Sequence, residues 1–191
     1  MTASEVVAEV VRINPEISHL SFYIYKPHYN VKESRKKPLL PVLLFHDPSQ
    51  ETVRLKREEM IMGKLKSVID SLEEDAVIGV FSRFRRESET YHIPLMDFSC
   101  VDSCTNLKKV EWFLKEIKQQ GVILSSGRSY HYYGVNPMNE REWSNFIGDC
   151  LLLDLVDTRY VGHRLKDGCG ILRLSACPLR PQVPTVVSIL E

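Results

Sequence analysis

The sequence has no excess of charge, no long apolar run, no repeat or low-complexity tract, and no export signal in front of its few cysteines. Each absence excludes something. Lys plus Arg equals Asp plus Glu at 25 each in 191 residues, so there is no overall basic field to drive nonspecific nucleic-acid binding, and any such partner has to meet a local patch. The longest strongly apolar stretch, GDCLLLDLVD, is interrupted by Asp149, Asp154 and Asp157. A membrane span needs about 18 consecutive apolar residues, so no segment is read as crossing a membrane. The opening MTASEVVAEVVR spreads charges through its first turns, unlike a signal peptide. The five cysteines, at 100, 104, 150, 169 and 177, form an odd set, and a reducing cytoplasm is the simplest home for them.

What remains is enough for one domain, residues 1–191, with a sizeable core. Residues 1–90 read as an N-terminal α/β section. HLSFYIY is a strand, KPHYNVKESRKKP a loop, LLPVLLF a buried strand and AVIGVFSRF a further strand. Between Leu55 and Leu72, Ile61, Leu65, Val68 and Ile69 recur at helical spacing. The second half has a clearer order. YHIPLMDF is a strand that Pro94 marks as an edge or a bulge. NLKKVEWFLKEIKQQG is a helix with Val110, Phe113, Leu114 and Ile117 on one face and Gly121 as its stop. VILSSG and RSYHYYG are two strands. Asn139, with Glu142 three residues on, caps a helix striped by Trp143, Phe146, Ile147, Cys150 and Leu151. GILRLSA and TVVSIL close the chain as strands. Residues 91–175 therefore run strand, helix, strand, strand, helix, strand, the split βαβ order of ferredoxin-like and RNA-recognition folds, and the fold class is α+β.

That order gives meaning to SSGRSYHYYG, residues 125–134. In an extended chain Ser129, His131 and Tyr133 share one face, and Tyr130 and Tyr132 take the other. Asp97 ends the first strand with Ser99 two residues on, and Asp157 follows the second long helix. Two carboxylates, a hydroxyl, an imidazole and nearby Arg128 suit a divalent metal and a triphosphate, because hard oxygens hold Mg²⁺ and cations hold phosphate. A strand histidine is also an ordinary structural hydrogen-bonding residue, and an aspartate at a strand end is an ordinary turn residue.

At this point the chain resembles a family. SSGRSYHYYG is similar to the small-Gly-Arg-x-aromatic-His segment of the archaeo-eukaryotic primase superfamily, whose members share a Ser-x-His pair on a strand. LVDTRYVGHRLKDGCGILRLSA resembles that family's third motif, an aspartate followed by an Arg-Leu-small strand, and IPLMDFS stands where the family keeps its first acidic motif. The likeness covers roughly residues 91–190. It implies a primase-type core that copies or primes DNA or RNA from nucleoside triphosphates with Mg²⁺ or Mn²⁺. By position, Asp97 and Asp157 are then the catalytic metal ligands, Ser129 and His131 the triphosphate contacts, and Arg128 and Arg173 supporting cations. With no helicase, zinc-ribbon or linker segment in the chain, separate protein subunits are further expected partners.

One residue departs from the family pattern. Its first motif is Asp-x-Asp, and here it is Asp97-Phe98-Ser99, with a neutral hydroxyl in place of a carboxylate. Asp102, three residues beyond Ser99, is the candidate to complete the set. Two expectations follow: a nucleotidyltransferase, or a degenerate primase-like module that binds nucleic acid or protein. Elsewhere, the tyrosines are read as strand formers, although aromatic residues also stack bases. Cys100 and Cys104 are read as packing residues more readily than as half a zinc site. The basic runs KESRKK and SRFRRES read as solvated loops, while HRLKDG lies nearer the supposed site.

Overall fold

The computed structural model describes residues 1–27 and 51–191. The expected strand LLPVLLF, the KESRKK run and most of the loop around them lie outside the described residues. Eleven strands in three antiparallel sheets and six helices make up the described part. The first element, α1 (Ala3–Ile13), was not legible as a strand or loop, and its signals are plain in retrospect. Glu5 takes the Thr2 amide at 2.7 Å, and Val6, Val7, Val10 and Val11 recur on one buried face.

The first sheet has the order β10-β3-β1-β2, from β1 (His19–Tyr25), β2 (Glu51–Lys56), β3 (Val77–Phe81) and β10 (Ile171–Arg173). The helical spacing expected from Leu55 resolves into two short helices, α2 (Arg57–Ile61) and α3 (Lys64–Asp70), broken at Met62–Gly63, and Leu55 itself is a buried strand residue. AVIGVFSRF also divides. Ser82 separates β3 from β4 (Arg83–Arg86), which forms the third sheet with β5 (Glu89–His92) and β9 (Met138–Asn139). Pro94 is no bulge inside one strand, but it does precede an edge strand, the last of its sheet. It lies in the step from β5 to β6 (Leu95–Phe98), where the chain changes sheets, and its carbonyl takes the Gly134 amide at 2.8 Å.

The second sheet has the order β11-β7-β8-β6, with β7 (Gly121–Ser125), β8 (Tyr130–Gly134) and β11 (Thr185–Leu190). β8 lies antiparallel between β6 and β7, which α4 (Cys104–Glu116) connects. The expected fourth strand of that sheet, GILRLSA, pairs instead with β3 of the first sheet. Gly79 permits the close pairing: it stands opposite Arg173, and a Cβ there would come within 3.0 Å of Ile171 and 3.1 Å of the Leu172 carbonyl. β11 takes the β7 edge.

α4 begins two residues earlier than Asn106, on a Ser103 cap whose hydroxyl takes the Asn106 amide at 3.2 Å. Its stop is Lys118, in the left-handed region at φ 56°, with the Gln119 amide returning to the Leu114 carbonyl; Gly121 already belongs to β7. α5 (Glu140–Leu152) carries the expected cap, with Asn139 and Glu142 bonded reciprocally, and buries Trp143, Phe146, Ile147 and Cys150 while Leu151 is exposed. α6 (Thr158–Asp167) follows and was not foreseen.

Two apolar cores join these layers. One gathers α1, the first sheet and Leu95, Leu124 and Tyr133 of the second. The other lies between the second sheet's opposite face and helices α4 and α5, around Met96, Ile123, Tyr130 and Tyr132. Tyr130, Tyr132 and Tyr133 are among the largest fully buried side chains, so their rings form core and no base stacks on them. Among the described residues no helix is long and apolar enough to cross a membrane.

Candidate functional site

Period two along β6 and β8 divides the second sheet into a helix-facing side and a cavity-facing side. Asp97 pairs directly with His131, and Leu124 of β7 stands on His131's other side. Asp97 and His131 face a cavity of about 540 Å³ between the two larger sheets, lined also by Tyr160, Arg164 and Asp167 of α6. Ser126, Arg128, Ser129, Arg173 and Arg180 also line it.

The β7–β8 turn delivers three of these groups. Its first and last residues close on each other, with the Ser126 amide on the Ser129 carbonyl at 2.9 Å and the two hydroxyls 3.1 Å apart. Gly127 occupies the left-handed region at φ 91° with Gln182 packed where a Cβ would be, so the turn is held from outside as well. Arg128 is exposed at the rim. The Ser129 hydroxyl donates to Asp97 Oδ1 at 3.4 Å.

Asp97 keeps 37% of its side-chain surface open, yet the walls take water from it and raise its pKa to about 6. Ser129's hydrogen bond and the charge of Arg180 pull the other way, and the charge of Asp157 adds to the rise. His131 is buried, with Nε2 at 3.8 Å from Asp97 Oδ1. Burial, aided by Arg173 and Arg180, lowers its pKa to about 3, so the contact is between a neutral imidazole and a carboxylate rather than an ion pair. His131 Nδ1 is buried without a hydrogen-bond partner among the described residues.

Asp157 is exposed and caps α6, accepting the Arg159 amide at 2.8 Å. An antiparallel bridge between Phe98 and Val156 brings the segment that carries Asp157 alongside Asp97, although Asp157 is not among the residues that line the cavity. Arg173 is buried, and its guanidinium donates to the carbonyls of Ser175, Gln182 and Ser126. It clamps the β7–β8 turn to the loop after β10 and adds positive charge to the cavity wall. Ser99 is exposed past the end of β6. Asp102 is engaged elsewhere: its carboxylate accepts the hydroxyls of Ser125 and Tyr130, below the start of α4. It does not complete the first motif.

Sequence reasoning missed Arg180, which a tight Cys177–Arg180 turn with reciprocal amide–carbonyl bonds presents to the cavity. Pro178 and Pro181 around it were the available turn signal. It also missed Tyr23, Tyr25 and Phe81, the cavity's opposite wall.

The family model AEP-like, archaeo-eukaryotic primase 1D-like, matches residues 56–185, more than half of the chain. The chain belongs to this family. The match begins at the last residue of β2, so it takes in β3 and β10 of the first sheet but not β1, together with most of the 91–190 segment in which the motifs were read. Asp97, Arg128, Ser129, His131, Asp157 and Arg173 of the primase-like chain all fall within it. Searches of curated proteins and of solved structures found no match.

Proposed function

We propose that this primase-like domain binds a nucleoside triphosphate together with Mg²⁺ or Mn²⁺ in the cavity between its two larger sheets, and transfers nucleotides onto a DNA or RNA strand. One observation carries the reading. Asp97, one of two carboxylates on the cavity with Asp167, stands opposite a buried neutral histidine whose Nδ1 lacks a partner among the described residues, in a wall that also carries Arg128, Arg173 and Arg180. Such a wall suits a polyanion that brings a cation with it.

The donor set bears on the metal. Among the described residues no group of three or more His, Cys, Asp or Glu is arranged to hold an ion. Asp97 with Asp157 beside it fits one divalent cation whose remaining ligands are phosphate oxygens and water, the usual manner of Mg²⁺ with nucleotides. When bound there, the cation supplies Lewis-acid neutralisation of the phosphate charge. Ser129 and His131 would orient the phosphates, Arg128 at the rim would meet the outer ones, and Arg173 would hold the turn in place.

Titration of labelled nucleoside triphosphate with Mg²⁺ or Mn²⁺, followed by a primer-extension assay, tests the proposal. Saturable binding that requires the metal, and extension lost in Asp97→Asn, are the expected results. His131→Ala should weaken nucleotide binding by roughly 1–3 kcal/mol with the fold intact by circular dichroism. Unaltered affinity in the folded variant would make His131 a packing residue. Metal-dependent binding without extension would favour a nucleotide-binding module with no transferase activity, the outcome to which Ser99 points.

A further inference from the structure

The cavity has two unlike walls. The β6–β8 wall is polar. The wall from the first sheet is aromatic: Tyr23 and Tyr25 lie 4.9 Å apart between ring centroids, and Phe81 meets Tyr23 edge-on at 5.8 Å. All three line the cavity and keep part of their surface open.

Gly79 sets the geometry of that wall. It pairs with Tyr23 on one side and with Arg173 on the other, so one row across the sheet reads Tyr23, Gly79, Arg173. Two strand spacings, roughly 10 Å, separate the aromatic end of the row from the cationic end. That is about the separation of a nucleobase from the middle of its triphosphate. Gly79 adds no side chain of its own to the floor between them, where Ile171 Cγ2 lies against it.

Resting on the reading of the cavity as a nucleoside triphosphate site, we infer that Tyr23, Tyr25 and Phe81 form a shelf for the nucleobase, while the phosphates reach across Gly79 to the Arg128–Ser129–His131 wall. Every base presents a π-face, and such a shelf binds bases by stacking, with little reading of their edges. A cavity for phosphate alone does not call for three clustered aromatic rings along one wall.

Titration of the wild-type chain in Mg²⁺ with three ligands tests this: ATP, ribose 5′-triphosphate, which lacks a base, and inorganic tripolyphosphate. The shelf predicts that ATP binds about five- to a hundredfold tighter than ribose 5′-triphosphate, the range that base–aromatic stacking supplies. Tyr23→Ala should abolish that margin, Tyr23→Phe should keep it, and neither should change tripolyphosphate affinity, which also shows that the variants are folded. Equal wild-type affinity for ATP and ribose 5′-triphosphate would overturn the shelf while leaving the phosphate site standing. Failure of all three ligands to bind would overturn the site reading, and the shelf with it.

Discussion

Asp97 is the carboxylate on which the proposed nucleotide and metal site rests, and its surroundings give it a measurable signature. Its pKa in the folded chain is raised to about 6 from an ordinary 3.8, mainly by burial. The sign follows from linkage: a carboxyl with a raised folded pKa favours the fold while protonated, below about pH 4. That contribution is lost as pH climbs through 6. Asp97→Asn should therefore raise the thermal midpoint at pH 7–8, by about 1 kcal/mol after allowing for the solvent the side chain still meets, or some 2–4 °C. The gain should vanish below about pH 4, and scanning calorimetry across pH checks it. Metal affinity should rise over the same window as the carboxylate ionises. Ser99 is the complementary residue. Ser99→Asp places a second anionic oxygen two residues along from Asp97, and should tighten Mn²⁺ binding in calorimetric titration. No change would show that Ser99, exposed beyond the strand end, lies out of reach of the cation.

At the scale of the element, the β7–β8 hairpin is the part that presents Arg128, Ser129 and His131 together. Its strands were legible because Tyr130, Tyr132 and the polar residues between them alternate with period two. The turn's shape was not, because it depends on Gln182, 55 positions or so along the chain, pressing on Gly127. Gly127→Ala would put a Cβ within 2.7 Å of Gln182 Oε1 and 2.9 Å of its Cβ, at a backbone angle that L residues rarely adopt. We expect a loss of about 1–2 kcal/mol in denaturant unfolding, from the left-handed backbone and the contact with Gln182. Nucleotide affinity should fall with it as Arg128 and Ser129 shift. Stability lost with affinity kept would show that the turn's position is irrelevant to binding.

In the whole molecule, the cavity exists because β10 leaves the sheet it was expected to join and pairs with β3. Arg173 at its end then ties three segments together through the carbonyls of Ser126, Ser175 and Gln182. Lysine keeps the charge but lacks the planar fork that reaches several carbonyls at once. Arg173→Lys should cost about 2 kcal/mol, a drop of roughly 4–8 °C in the thermal midpoint, and should weaken nucleotide binding through displacement of the β7–β8 turn. A thermal midpoint equal to wild type would remove the clamp.

The sequence by itself determined the local matters. The period-two face of β8, the Asn139–Glu142 cap and buried stripe of α5 and the apolar face of α4 all depend on residues a few positions apart, and the family is likewise legible in the linear sequence. Only the tertiary structure decided the rest. β10 pairs with β3 through a close approach that Gly79 permits, and Asp102's loss to the site depends on its bonds to Ser125 and Tyr130. The rise in Asp97's pKa comes from walls contributed by distant strands, and Tyr23, Tyr25 and Arg180 reach the cavity only through long-range pairing and turns. Periodicity sorts side chains between two faces, but which face meets a partner, and at what distance, is set by contacts between residues far apart in the chain.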